Sequence, residues 1–332
     1  MFSHDLRTRR CTGRQFRCTP LPAVGFGVSC PMTGTCGLCG REAELCDSHI
    51  VPSFVFRWLK DSSATGFLRF TPTLNKRAQE GLRVALLCST CEQRFSQWEK
   101  RFAEEIFSPL NHGRAARFSY GSWLSKYCVS VSWRVLTFLR QDKLSHFSPA
   151  MIEAADSALT TWRQVLLDEK PHPGKHQQHM LLLDLVHEHT FSEIPPNLNR
   201  YILRTVDIDA ACTSREAFIY SKMGRVVLVG FIHIAKPRQW QGSLVHVNHG
   251  AIGSQTYTLP DSFRRYLFER ARRADGFYEK VSSRQAERIS NDYRKNLDRA
   301  VSSETWKALD QDVILVGRKR AFGKDSESDQ PK

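Results

Sequence analysis

Four cysteines in two Cys-x-x-Cys pairs, Cys36 with Cys39 and Cys88 with Cys91, constrain this chain more than any other feature. Each pair has the spacing that lets two thiolates of one tight knuckle reach a single tetrahedral ion at about 2.3 Å. Four such sulfurs close a structural zinc site and leave no open coordination position, so any chemistry has to come from what the zinc holds in place. Between the pairs lies D-S-H-I-V-P, residues 47–52, and the second pair runs on into E-Q-R-F-S-Q-W-E, residues 92–99.

The 332 residues suit about two domains. A formal charge of +14 favours a polyanionic partner, because clustered Lys and Arg release counterions from a phosphate backbone. Ten cysteines, unevenly spread, do not make a secreted disulfide scaffold, and paired knuckles suit reduced thiols and a cytoplasmic location. The richest apolar run, Trp123 to Leu139, is broken by Lys126, Arg134 and several serines, which argues against a membrane partner. Residues 1–31 carry Arg7, Arg9, Arg10, Arg14 and Arg17 and then a short apolar piece interrupted by Pro22, Gly25 and Gly27, a poor signal peptide. Residues 1–34 are expected to be a flexible arm, or in part sequence upstream of a start at Met32.

Ala43 to Val51 reads as a hairpin whose second strand carries Cys46, Ser48 and Ile50 on one face and Asp47, His49 and Val51 on the other, with Pro52 ending it. Phe54, Val55, Trp58 and Leu59 follow at helical spacing, and residues 60–81 read as a polar insertion. Val84 to Leu87 returns as a strand, after which Phe95, Trp98, Phe102 and Ile106 mark a helix. At 100° per residue Glu92, Ser96 and Glu99 lie within about 60° of one another on that helix, at the border of its aromatic face.

Two more helical runs, Leu124 to Leu139 and Met151 to Leu167, form a helical hairpin, the second started by Ser148. Residues 170–179, with His172, His176 and His179 among Pro and Gly, read as a linker loop and not as a metal site. Alternating patterns at 201–208, 217–220, 226–234, 244–247 and 256–259 predict a small antiparallel sheet, with turns at 222–225 and 248–250. Helices are expected over 262–273 and 284–301. Their basic faces offer Arg264, Arg265, Arg272, Arg273, Arg294 and Lys295 to a phosphate backbone, although acids are interspersed.

The order Cys-x-x-Cys, S-H-I-V-P, L-L-C-S-T-C-E resembles the zinc-ribbon branch of the HNH endonucleases, whose ββα-metal core commonly reads C-x-x-C, D-H-I-x-P, L-C-x-x-C-H. S-H-I-x-P with C-x-x-C-E is also similar to an uncharacterised bacterial subgroup of such proteins. The resemblance covers roughly Cys36 to Glu99. It implies that His49 is the general base that activates water, and that a hydrolytic Mg²⁺ or Mn²⁺, distinct from the structural zinc, stabilises the leaving oxygen. Ser48 stands where the family has a metal-binding Asp, and Glu92 where it has a metal-binding His. A Glu oxygen suits Mg²⁺ or Mn²⁺, so Glu92 is the candidate ligand. Asp47 replaces Ser48 only if the strand bulges.

The sequence thus predicts an α+β chain. An HNH-like zinc-ribbon ββα-metal module occupies 35–107 and a helical hairpin 108–169. A linker at 170–179 leads to an α+β domain at 180–320, where an antiparallel sheet with helices reads substrate or partner, and residues 321–332 form a disordered tail. Two functions stand: a metal-dependent endonuclease acting on DNA, with RNA as the second candidate, or a catalytically inactive zinc-stabilised module that binds nucleic acid or protein.

Overall fold

The first knuckle is itself the turn of a hairpin. In the computed structural model, which describes residues 32–70, 73–142, 144–253, 256–278 and 280–322, strand β1 (Met32–Thr35) pairs with β2 (Glu42–His49), Met32 opposite Leu45 and Thr35 opposite Glu42. The hairpin therefore lies one strand earlier than the alternation at 43–51 suggests, and Met32–Thr35 belongs to a strand, not to the expected arm. Residues 1–31 of that arm, and the tail from 323, lie outside the described residues. Helix α1 (Ser53–Asp61) and the insertion lead to β3 (Arg83–Cys88), antiparallel to β2, and β3 passes into α2 (Ser89–Phe102). A π-helical turn, Ala103–Phe107, extends α2 into α3 (Ser108–Asn111).

Strand β4 (Phe118–Gly121) precedes α4 (Ser122–Leu139), which is buried on nearly every side, followed by α5 (Pro149–Leu166), whose cap Ser148 accepts from the Met151 N–H. Against α4 lies a four-stranded antiparallel sheet in the order β5-β8-β7-β6: β5 Gln178–Leu182, β6 Val206–Cys212, β7 Glu216–Met223, β8 Val226–Ile234. Glycine is required at Gly230, where a Cβ would stand 2.3 Å from Ser132 Oγ, so α4 rests directly on the β8 backbone. One apolar cluster runs from Cys36 and Phe95 through the stacked rings of Phe102 and Tyr127, 4.0 Å apart, to Met223 and Val226. The cysteine module and the sheet thus share a core.

The far face of the sheet is covered by α7 (Asp261–Tyr278) through Phe263 and Tyr266, with Trp240 between. Helices α8 (Ser283–Lys295), α9 (Leu297–Ser302), α10 (Glu304–Val316) and α11 (Arg318–Phe322) complete the chain, so the expected tail begins no earlier than residue 323. The mixed α+β composition and the antiparallel sheets agree with the sequence.

Several local readings are corrected. Residues 201–208 alternate like a strand, yet Leu198–Arg204 is helix α6, whose Leu198, Tyr201 and Ile202 are buried with Phe268 and Ala308. The stretch read as a linker ends inside β5. His176 and His179 are buried there, His179 Nδ1 lying 2.9 Å from Ser243 Oγ and the His176 carbonyl accepting from Trp162 Nε1 at 3.0 Å. Residues 244–247 and 256–259 make single bridges only, while His249–Ile252 forms β9, paired with β4, where the sequence suggested a turn. No helix among the described residues is long and apolar enough to cross a membrane.

Candidate metal centre and adjoining site

Both knuckles are built by backbone geometry. The Cys36 N–H donates to the Arg41 carbonyl at 2.8 Å and the Gly40 N–H to the Cys36 carbonyl at 2.9 Å, a turn that Gly40 closes with φ +76°. The Gly37 N–H reaches the Leu86 carbonyl at 2.9 Å, which docks this knuckle on β3. Cys88 ends β3 and is the N-cap position of α2, so Cys91 falls in the first helical turn, beside Cys88. Arg163 Nε fastens the first knuckle from outside by donating to the Leu38 carbonyl at 2.6 Å.

The sulfurs of Cys36, Cys39, Cys88 and Cys91 all lie within 4.8 Å of one another, and Cys39 Sγ and Cys88 Sγ are 3.8 Å apart. A tetrahedral zinc with bonds of about 2.3 Å sets its sulfurs about 3.8 Å from each other, so the donor set fits a structural zinc ion. The Cys88 N–H points at Cys36 Sγ, 3.3 Å away. Burial acts to raise the Cys36 thiol, but backbone N–H groups of Cys39, Cys88 and Leu38 outweigh it and bring it down to about 7. Burial and the neighbouring Cys88 thiol push Cys91 well up. A divalent cation reverses that, because a coordinating thiol is deprotonated outright. Among the described residues no other group of three or more His, Cys, Asp or Glu side chains comes together in this way.

His49 ends β2 and stands opposite Arg83, the first residue of β3. Arg83 Nε donates to His49 Nε2 at 3.2 Å and Arg83 Nη1 to Asp47 Oδ2 at 3.3 Å, while Nη2 pairs with Glu80. The His49 carbonyl accepts from Arg134 Nη1 at 2.9 Å. Arg134, buried in α4, also pairs with Glu99 at 2.6 Å and lies over the Phe95 ring. Burial pushes Glu99 up, against the pull of Arg134. His49 is half-buried, and burial together with the charges of Arg83 and Arg134 lowers it to about 4, with exposed Arg57 adding to the effect.

Ser48 and Glu92, the two departures from the HNH pattern, meet. Ser48 is fully buried on the opposite face of β2 from His49, and its hydroxyl donates to Glu92 Oε2 at 2.8 Å. A bulge is present between β2 and β3, but its extra residue, Leu86, is in β3: Cys46 faces Leu87 while Asp47 faces Ala85. The alternation of β2 is kept, and Asp47 stays on the His49 side with Arg83.

Of the arginines offered to a phosphate backbone, Arg264 is engaged within the fold, bonded to Asp261 at 3.3 Å with its guanidinium 4.3 Å from the Phe191 ring. Arg272 is exposed and lies 4.0 Å from Glu193, and Arg265, Arg273, Arg294 and Lys295 are exposed.

No family model, no curated protein and no solved structure matches the chain.

Sequence reasoning missed Arg83 and Arg134. A signal existed for each: Arg83 opens an otherwise apolar strand, and Arg134 interrupts the most apolar helix of the chain. Arg134 was legible only as a break in a membrane-span pattern, whereas it ties α4 to the end of β2.

Proposed function

We propose that the protein is a zinc-stabilised phosphodiesterase of the HNH type acting on nucleic acid, DNA first, with His49 as general base. The observation that carries this reading is the end of β2, where one imidazole accepts from the guanidinium of Arg83 on a strand pair anchored by the four cysteines, with exposed Arg57 adding to the positive surroundings. A neutral imidazole among cations suits an anionic ester. A phosphate beside Arg83 and Arg57 offsets the charges that depress His49 and so raises its basicity. In the reaction, His49 Nε2 accepts a proton from water as the water oxygen bonds to phosphorus. The P–O bond to the leaving oxygen breaks with its electron pair on that oxygen, which then takes a proton from solvent. On the other face of β2 from His49, Glu92 has one oxygen engaged by Ser48 and would hold a Mg²⁺ or Mn²⁺ through the other. Such an ion would supply Lewis-acid stabilisation of the leaving oxygen.

Helix α8 supports a nucleic-acid partner. Its Arg284, Arg288 and Lys295 are exposed and fall within about 40° of one another over about 16 Å, a cationic stripe suited to a phosphate backbone. Arg77 pairs with Asp292 at 2.5 Å, and Asn75 Oδ1 accepts from the Ser282 N–H at 2.8 Å, so α8 is fixed to the insertion. The six-residue step from Arg77 to Arg83 spans at most about 21 Å of chain.

The second reading, a binding module without catalysis, is favoured by one observation: Ser48 spends its proton on Glu92, and no third protein ligand joins them among the described residues. Cleavage of supercoiled plasmid, linear duplex, single-stranded DNA and RNA over a Mg²⁺ and Mn²⁺ titration separates the two. The phosphodiesterase reading expects metal-dependent cleavage that His49→Ala abolishes with zinc content and DNA affinity intact, and that Glu92→Gln shifts to higher metal concentration. Cleavage by His49→Ala at the wild-type rate removes His49 from the mechanism, and salt-sensitive binding without any cleavage leaves the binding module.

A further inference from the structure

Arg83 lies outside the motif that resembles the HNH family, yet its Nε makes a side-chain hydrogen bond to the His49 ring. Because Arg83 Nε is always a donor, His49 Nε2, 3.2 Å away, is the acceptor, and the ring proton resides on Nδ1. The lone pair that a general base needs is therefore engaged at rest. The rest of the guanidinium is held by two carboxylates. Asp47 Oδ2 takes Nη1 at 3.3 Å and Glu80 takes Nη2, with side-chain exposures of 35% and 57%. Arg83 itself is 33% exposed. Exposed pairs of this kind are weak and are readily exchanged. Of the five N–H groups of a guanidinium, three are engaged here, which leaves one on each terminal nitrogen. Two parallel N–H groups are the geometry that takes a phosphate in a bidentate grip.

We infer that Arg83 is a substrate-operated latch: it occupies His49 Nε2 in the resting protein and moves to the phosphate of an arriving phosphodiester, uncovering the base as the substrate binds. This rests on the phosphodiesterase reading for its purpose, but not for its detection. The exchange needs no turnover and moves no covalent bond; one hydrogen bond from Arg83 Nε to nitrogen is replaced by hydrogen bonds to phosphate oxygens. The register of the strands sets it up. Since β2 keeps its alternation, Asp47 and His49 share the face that Arg83 crosses, and α4 fixes the His49 backbone through Arg134, so the guanidinium is the part free to move.

The test is nitrogen NMR of zinc-loaded protein labelled with ¹⁵N-histidine, without Mg²⁺ or Mn²⁺, titrated with inorganic phosphate and then with a short DNA duplex. The His49 Nε2 resonance of wild type is expected at the position of an acceptor nitrogen, to move towards that of a free imidazole nitrogen on adding phosphate, and to rest at the free position from the start in Arg83→Met. Arg83→Lys, which keeps the charge on the strand, is the check on folding: it is expected to retain zinc and to show the free nitrogen too. An Nε2 resonance that phosphate and duplex leave in place in wild type, or that is the same in wild type and both variants, overturns the latch. In cleavage assays Arg83→Met is expected to lower kcat/KM by about 10- to 150-fold, the range for one lost charged hydrogen bond, chiefly through KM. The two claims fail separately. A protein that shows the exchange and cleaves nothing refutes the phosphodiesterase reading and keeps the latch, and cleavage without the exchange does the reverse.

Discussion

Arg134→Met is the substitution that most directly probes how α4 holds the site. Arg134 is 1% exposed, and its guanidinium donates to the His49 carbonyl at 2.9 Å and the Ser130 carbonyl at 3.3 Å and pairs with Glu99 at 2.6 Å. Methionine keeps most of the aliphatic stem, so the loss is electrostatic. Removing one partner of a buried pair costs about 3–5 kcal/mol, and an orphaned buried carbonyl costs about 1–3 kcal/mol. The two overlap, because Glu99, already pushed up by burial, takes a proton when its cation is gone. The expected loss is about 3–5 kcal/mol, against a total stability of about 5–15 kcal/mol. It follows that Arg134→Met folds but unfolds at a much lower urea concentration, read by tryptophan fluorescence. The double variant Arg134→Met, Glu99→Leu removes the stranded acid and is expected to recover about 2 kcal/mol or more, leaving mainly the cost of the carbonyl. The sign with pH is fixed as well. Glu99 has a folded pKa above its unfolded value, so its contribution is fullest in acid and is lost as pH rises through the raised value; the single variant is therefore least impaired in acid. A single variant that loses under about 1 kcal/mol, or a double variant no better than the single, refutes the reasoning.

Two further outcomes are expected. Gly81→Ala puts a Cβ 2.1 Å from the Phe56 ring at the entrance to β3, so it is expected to cost about 1–3 kcal/mol in urea unfolding and to loosen Arg83; an unchanged midpoint contradicts that packing. His49, lowered to about 4, stays neutral in the folded protein, and its contribution to stability is present above the ordinary value near 6.5 and lost as pH falls through about 4. Its C2–H resonance is accordingly expected to hold its shift between about pH 7.5 and pH 5.5, whereas a midpoint near 6.5 contradicts the cationic surroundings.

What the sequence made legible is what local geometry determines. Two Cys-x-x-Cys pairs announce their knuckles because ligand spacing is a property of a few consecutive residues, and Phe95, Trp98 and Phe102 announce α2 because its buried stripe is periodic. The partner of each functional side chain was not legible in the same way. Arg83 meets His49 through strand register, across an insertion of some twenty residues whose length the pattern does not interpret. Ser48 and Glu92 looked like two separate losses from a metal motif and are one hydrogen bond. Residues 170–179 looked like a linker because Pro, Gly and His dominate them, yet tertiary packing buries His176 and His179 beneath Trp162, Phe231 and Trp240. Arg134 and the serines of α4 read as polarity, whereas they are the buried contacts through which a helix enclosed on nearly every side meets its neighbours.

The four-cysteine centre is the claim on which the His49 site depends, since β2, β3 and α2 are joined there, and it is measured by the metal content of the purified chain. Elemental analysis of wild type and Cys88→Ser, alongside circular dichroism before and after a strong chelator, is expected to find about one zinc per wild-type chain. Its removal is expected to be accompanied by proton uptake as the freed thiolates become thiols, and to unfold the β1–β3 and α2 region, with the metal and that structure both missing from Cys88→Ser. Folded wild-type protein that holds no zinc, or that keeps its structure unchanged when the zinc is stripped, contradicts the account.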